Sequence, residues 1–252
     1  NGPLKGRTLA EATSLWGADL LGTGPHARFG SVFPLLTKFI DAAQDLSLQV
    51  HPADRHVRQQ GEFGKAEAWL ILQADEDACV YWGFRETVSE AQVRDAVRTG
   101  TLQDLLNRVP VAPGDVICNP PGTVHAIGGG IVLFEVQQSS DITYRLYDWE
   151  RRDSSGRLRE LHLDQALAVA SLSGGENALV SSVELRPGER QLVACEHFVL
   201  SQVEAATAEG LTTGRHSFET VTAVHGSVSL HGPAGQLELP AGTSLVLPAV
   251  EN

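Results

Sequence analysis

Three short segments carry residues with ligand chemistry at strand spacing. In LSLQVHP, Gln49 and His51 lie two positions apart, so on an extended strand both side chains project to one face. In GKAEAW, Lys65 and Glu67 share a face by the same alternation, and the flanking Ala66, Ala68 and Trp69 point to burial. In PGDVICNPPGTVHAI, His125 follows Gly114, Pro120 and Gly122, whose types set tight turns around the strand that presents it. Two imidazoles, a carboxylate and an amide oxygen make a mixed shell that suits Zn²⁺, which prefers nitrogen yet accepts oxygen and can keep a position open. Each piece alone has a plainer reading: a polar pair at a strand edge, a solvated carboxylate, a structural histidine. A buried unpaired carboxylate among these neighbours would be costly, which favours a cation partner for Glu67.

The elements that must position these groups are mostly strands. Residues 33–52 read as two strands with a polar turn at 41–45. Residues 64–73 and 78–84 read as paired strands joined by the acidic turn 74–77. Apolar positions at helical spacing predict a helix over 8–22, stopped by Gly22. Residues 89–110 predict two short helices broken near Gly100, with Ser89 as N-cap and Pro110 at the end. From Val111 short strands alternate with Pro/Gly turns, 159–172 reads as a connecting helix, and strands resume from Ser182.

The spacing of Gly114, Pro120, Gly122 and His125 is similar to the second motif of the cupins, except that Gly129 stands where an Asn often follows. Gly242 and Pro248 repeat the spacing of Gly114 and Pro120 without a following histidine. The expected fold is therefore mainly β, a double cupin (jelly roll) with a short helical insertion and a connecting helix. The expected division is a metal-binding jelly roll over 1–158 with its helical insertion at about 86–109, a connecting helix and loop over 159–181, and a metal-free cupin-like domain over 182–252.

With 19 Lys+Arg against 31 Asp+Glu the formal charge is −12, and no basic stripe stands out, which argues against a nucleic-acid partner. Apolar runs are interrupted well before the ~20 residues of a spanning helix, and no signal peptide is visible, so no membrane partner is expected. Three widely separated cysteines, Cys79, Cys118 and Cys195, argue against a disulfide framework and for a reducing cytoplasm. The chain contains no methionine, which reads as a fragment or a processed form.

The strings LSLQVHP, GKAEAWLIL, PPGTVHAI and FEVQQSSDITYRLYDWERRDSSGRLRELHLDQAL, in this order, resemble type I mannose-6-phosphate isomerases, particularly the short bacterial form. The resemblance runs from about residue 3 to residue 172 and more loosely through the last eighty. It implies interconversion of mannose 6-phosphate and fructose 6-phosphate through a cis-enediol(ate), with one zinc held by His51, Glu67 and His125 and with Gln49 as fourth ligand or near neighbour. It also implies Arg145 as the catalytic arginine, Lys65 and Glu135 as polar residues lining the site, and Ser47 and Arg151 at the substrate phosphate. Lys65 and Glu135 are rival candidates for the base. Arg145 could instead brace its strand through Asp141 or Asp148, and Arg151 with Arg152 could be a solvated turn. The remaining histidines (His26, His56, His162, His197, His216, His225 and His231) are expected in surface or structural roles. The family pattern has additional residues before the start and further strands after PAVEN, so a shortened second domain is expected. The implied partner is a small sugar phosphate, with the chain a monomer or weak homodimer. The alternatives are a non-catalytic sugar-phosphate-binding cupin, an iron-dependent cupin oxygenase, and an isomerase acting on another sugar.

Overall fold

The computed structural model describes residues 4–57, 62–175, 178–204, 216–232 and 235–249. The chain forms two compact units, one of residues 36–185 with 190–202, the other of 1–35, 186–189 and 203–252. The first 35 residues, expected inside the first jelly roll, thus group with the C-terminal strands.

Nine strands make the two main sheets of the larger unit: β1 (Leu35–Ala42), β2 (Leu48–Val50), β3 (Glu67–Ala74), β4 (Cys79–Phe84), β5 (Leu106–Pro110), β6 (Val116–Asn119), β7 (His125–Ile127), β8 (Ile131–Gln138) and β9 (Tyr144–Tyr147). They form a four-stranded sheet in the order β1-β8-β3-β6 and a five-stranded sheet in the order β5-β4-β7-β2-β9. The expected pairing of β3 with β4 does not occur, because the acidic connection carries the chain from one sheet to the other. Crossing between sheets lets both strands bury an apolar face against the opposite layer.

Side-chain alternation separates two cores. Trp69, Ile71, Ile117 and Leu133 of the four-stranded sheet pack with Val80, Trp82 and Ile127 of the five-stranded sheet, filling the space between the layers. Leu48, Val50, Ala126 and Leu146 face the other way and pack with Val93, Ala96, Ala166 and Leu167. Those four helical residues come from two short helices, in chain order after three helices of the smaller unit: α1 (Leu9–Trp16), α2 (Ala18–Leu21), α3 (Thr23–Phe29), α4 (Glu90–Thr99) and α5 (Leu163–Val169). In α4 Ser89 caps the N-terminus reciprocally with Gln92, and Gly100 ends it in a left-handed conformation. The second helix expected before Pro110 is only a 3₁₀ turn at Leu102–Leu105. Residues 106–110 instead form β5, because their alternation buries Leu106 and they pair with β4.

In the smaller unit the single helix expected over 8–22 is broken at Gly17, and after Gly22 the chain continues into α3. Beyond α5 come β10 (Val183–Arg186), β11 (Glu189–Ala194) and β12 (Val199–Val203), a three-stranded sheet that lies mostly in the larger unit, and then β13 (Glu219–Thr222), β14 (Ser227–Gly232), β15 (Gly235–Pro240) and β16 (Ser244–Leu247). Antiparallel pairs β13–β16 and β14–β15 carry the smaller unit, tied to its helices by Phe218 N–H to Leu21 O and Ala249 N–H to Leu20 O, both 3.1 Å. The short repeat is visible in the backbone: Gly114 and Gly242 each turn through a positive φ two residues before a strand, β6 and β16. Among the described residues, no helix is long and apolar enough to cross a membrane.

Candidate metal centre and active site

His125 begins β7, and its register partner on β2 is Gln49. On the other side of β2, Gln49 pairs with Arg145 of β9, while His125 also faces Trp82 of β4. Directly paired residues share a face, so Trp82, His125, Gln49 and Arg145 form a row on the inner surface of the five-stranded sheet. Leu48 and Val50 lie in the outer core, so alternation turns Gln49 and His51 inward. From the opposing sheet Glu67 and Trp69 on β3, with Glu135 and Gln137 on β8, form cross-strand pairs on the facing surface. The metal-type residues therefore meet between the layers, beyond the end of the apolar core.

His51, Glu67 and His125 converge, each about 1% exposed, with ligand atoms all within 4.8 Å of one another. His51 Nε2 lies 3.2 Å from Glu67 Oε1, and His125 Nε2 lies 3.4 Å from Glu67 Oε2. Backbone carbonyls fix both rings. His51 Nδ1 contacts Ile142 O and His125 Nδ1 contacts Thr123 O, each at 2.9 Å, and a carbonyl can only accept. Nδ1 is thus the protonated nitrogen, and a neutral ring turns the bare lone pair of Nε2 toward the carboxylate. Burial pushes the His125 pKa down to about 4, against the pull of Glu67, so that ring is neutral at physiological pH. Burial opposes the charge on Glu67, but His51, His125 and Lys65 outweigh it and hold that carboxyl well below the usual range.

Among the described residues, both Nε2 atoms and Glu67 Oε2 have no hydrogen-bond partner. Lone pairs facing a carboxylate at these distances are repulsive unless a cation lies between them. The separations of 3.2 and 3.4 Å are close to the edge of a tetrahedral shell with bonds of roughly 2.1 Å. Two imidazoles oriented by carbonyls and one carboxylate fit a divalent metal that takes nitrogen and oxygen.

The other expected site residues fall into three groups. Lys65 is buried and its Nζ is 3.2 Å from Glu67 Oε1, so it belongs to the cluster. Glu135 is also buried: Oε1 accepts from Trp69 Nε1 at 3.0 Å, and Oε2 is 3.0 Å from Lys38 Nζ. Burial, with a contribution from Glu67, raises its pKa, while Lys38 opposes the rise.

Arg145 shares the inner face with Gln49, and its Nη1 donates to Glu160 O at 3.1 Å. Its strand is held by His162, whose backbone N–H donates to Arg145 O at 2.7 Å and whose Nδ1 accepts from Arg145 N–H at 3.3 Å. Partial burial, together with Arg159 and Arg151, lowers the Arg145 pKa, and Asp148 works against this. No bracing ion pair from Arg145 to Asp141 or Asp148 occurs among the described residues. Ser47 is buried just before β2. Arg151 braces its turn, with Nη1 donating to Asp45 O at 2.7 Å and Nη2 paired with Asp148.

Three polar residues of the inner faces escape a reading based on the ligand strings. Lys38 on β1 reaches Glu135 and Gln137. Gln137 is fully buried and donates to Gln138 O and Ser140 O. Asn119 lies opposite Glu67 across the β3–β6 pair. Of these, Lys38 has a usable signal, being a charge between the apolar pairs Leu35–Leu36 and Phe39–Ile40 of its strand.

Comparison with known proteins places this geometry. The family described as phosphomannose isomerase type I, catalytic domain, matches residues 1–79. Mannose-6-phosphate isomerase ManA of Bacillus subtilis is 46% identical over 177 residues, 67% of this chain, which spans about half (52%) of that relative. The mannose-6-phosphate isomerase of Streptococcus mutans is 37% identical over 221 residues, 86% of this chain and 69% of the relative. A crystal structure of the mannose 6-phosphate isomerase from Bacillus subtilis superposes with a TM-score of 0.85 at 32% identity, covering 99% of this chain and 78% of that one. Identity at this level over two thirds or more of a relative's length, on a shared fold, makes the chain a member of the type I mannose-6-phosphate isomerase family.

Proposed function

We propose that the chain is an aldose–ketose isomerase that interconverts mannose 6-phosphate and fructose 6-phosphate at a zinc centre, in the cytoplasm. The observation that carries this reading is the buried His51–Glu67–His125 cluster, with both Nδ1 atoms committed to carbonyls and both Nε2 atoms directed at Glu67. His51, Glu67 and His125 would hold the ion, with Gln49 at the fourth position. Bound there, a zinc ion supplies a Lewis acid that polarises the sugar carbonyl and its neighbouring hydroxyl.

The reaction moves a proton between C2 and C1, so a base must reach both carbons and developing oxygen charge must be met. Glu135 is the favoured base of the two candidates. Its pKa is raised by burial, which brings it toward the range where proton transfer near neutrality is efficient. Trp69 and Lys38 fix its carboxyl plane. Lys65, held beside Glu67, is placed to donate to a sugar oxygen. Arg145 supplies fixed positive charge on the same inner face, at a partly buried position. Ser47 and Arg151 are assigned to the phosphate end, and for Arg151 this requires exchanging its Asp148 partner for phosphate. A non-catalytic binding cupin would have no need for this assembly of candidate base, arginine and metal ligands on facing sheet surfaces.

The test is conversion of mannose 6-phosphate to fructose 6-phosphate followed by a coupled readout, before and after chelation and with zinc restored. Activity that disappears with chelator and returns with zinc supports the proposal. Absence of turnover by a folded, zinc-loaded chain rejects it.

A further inference from the structure

The cluster at Glu67 has a neighbour that neither the ligand set nor the proton transfer uses. Asn119 ends β6 and pairs directly with Glu67, so its side chain projects onto the same inner face, while the preceding pair Ala68–Cys118 turns away. It is 1% exposed, and among the described residues neither Oδ1 nor Nδ2 has a hydrogen-bond partner. The backbone around it is anchored on both sides: Trp82 Nε1 donates to Cys118 O at 3.0 Å, and Gly122 N–H donates to His51 O at 2.8 Å. The side chain is therefore held beside the metal cluster with one donor and one acceptor unmet. Leaving buried polar groups in that condition is costly, and an apolar residue of similar shape would avoid the cost.

We infer that Asn119 is a substrate contact, whose carboxamide binds hydroxyl groups of the sugar chain. The inference rests on the proposed isomerase reading and adds to it a residue that sets selectivity for a polyol. A carboxamide offers a donor and an acceptor about one hydroxyl spacing apart, and two neighbouring hydroxyls, each able to donate and accept, complement both. A phosphate oxygen would satisfy Nδ2 but face Oδ1 unfavourably, so the hydroxyl-bearing part of the substrate is the matching chemistry. Closeness to Glu67 places the contact near the reacting carbons rather than at the phosphate end.

The test uses the zinc-loaded full chain with Asn119→Leu, which keeps shape without polarity, and Asn119→Ser, which is smaller and avoids overpacking. Three quantities are read: kcat/KM on mannose 6-phosphate and on its 3-deoxy and 4-deoxy analogues, calorimetric affinity for a hexitol 6-phosphate, and zinc content. A lost hydrogen bond of this kind predicts about a 10- to 100-fold fall in kcat/KM and a parallel fall in hexitol phosphate affinity, at unchanged zinc content. On a deoxy analogue that lacks one of the two contacted hydroxyls, the loss caused by the substitution should be clearly smaller than on mannose 6-phosphate, because only one contact is left to lose. Equal losses on every substrate, or loss of zinc with unchanged hexitol phosphate binding, would overturn the inference and assign Asn119 to the support of Glu67. Wild-type chain that binds hexitol phosphate without turnover would sink the isomerase reading while leaving the role of Asn119 to the binding comparison.

Discussion

Replacing Gly122 by alanine should weaken both the fold and the metal centre, and Gly114 provides the internal control. The two glycines have nearly the same backbone, φ +91° at Gly122 and +95° at Gly114. A left-handed conformation costs an L-residue about 1–2 kcal/mol, and that cost is common to both substitutions. Their surroundings differ. A Cβ at Gly114 would meet nothing within 4 Å, whereas at Gly122 it would lie 3.0 Å from Val169 O and 3.6 Å from Ser171 N. Those atoms belong to the end of α5 and the residues after it, and Ser171 N–H also donates to Gly122 O at 2.8 Å. Relieving the clash adds about 1–3 kcal/mol, so Gly122→Ala should cost about 2–5 kcal/mol against about 1–2 for Gly114→Ala. Because Gly122 N–H holds the carbonyl of His51, the displacement should also reach a metal ligand and lower zinc affinity by about 10- to 100-fold. Urea unfolding of the metal-free chains and competition with a chromogenic chelator measure the two effects. Equal destabilisation by both substitutions, or undiminished zinc affinity in Gly122→Ala, would refute the reasoning.

Arg145→Ala should lower kcat by about 10²–10³ with zinc content preserved, since the proposed role of the arginine is to stabilise charge without ligating the metal; a loss of zinc in this variant would contradict that proposal. Acidification should destabilise the metal-free chain in a defined window. The His125 pKa is depressed to about 4 from an ordinary 6.5, so the unfolded chain takes up a proton first and stability is lost as pH falls below 6.5. Between pH 7.5 and pH 5 the expected loss is about 2 kcal/mol, read by urea unfolding in chelator, and a flat profile would argue against a buried neutral ring. Trp69→Phe removes the hydrogen bond from Nε1 to Glu135, worth about 1.5–3 kcal/mol to a charged acceptor, and should move the acid limb of the kcat profile to higher pH. An unmoved acid limb would count against Glu135 as the base.

The cluster of His51, Glu67 and His125 is legible because a strand repeats every two residues and because the turn types around His125 are restrictive. Gln49 with His51 and Lys65 with Glu67 needed only alternation, and the structure brings the two pairs together between opposed sheets. What alternation cannot show is which strands are neighbours. The pairing expected for β3 and β4 failed for that reason: a short acidic turn serves a hairpin and a crossing between layers equally well. Asn119 was hidden for a related reason, because its significance comes from lying opposite Glu67, fifty-two positions away in the chain. Residues 106–110 fall in the expected helical stretch because Leu106 and Arg108 favour helix, and pairing with β4 makes them a strand instead. Arg151 reads from sequence as a phosphate contact or a turn residue, and the structure shows the turn contacts.

The most direct test of the central claim is a titration of the chelated chain with zinc, following isomerisation of mannose 6-phosphate and bound metal together. Activity should rise in proportion to bound zinc and reach its plateau at one ion per chain. His51→Ala and His125→Ala should each bind zinc weakly and show no activity at that plateau. Full activity in the metal-free chain, or a plateau indifferent to loss of either histidine, would contradict a catalytic centre at His51, Glu67 and His125.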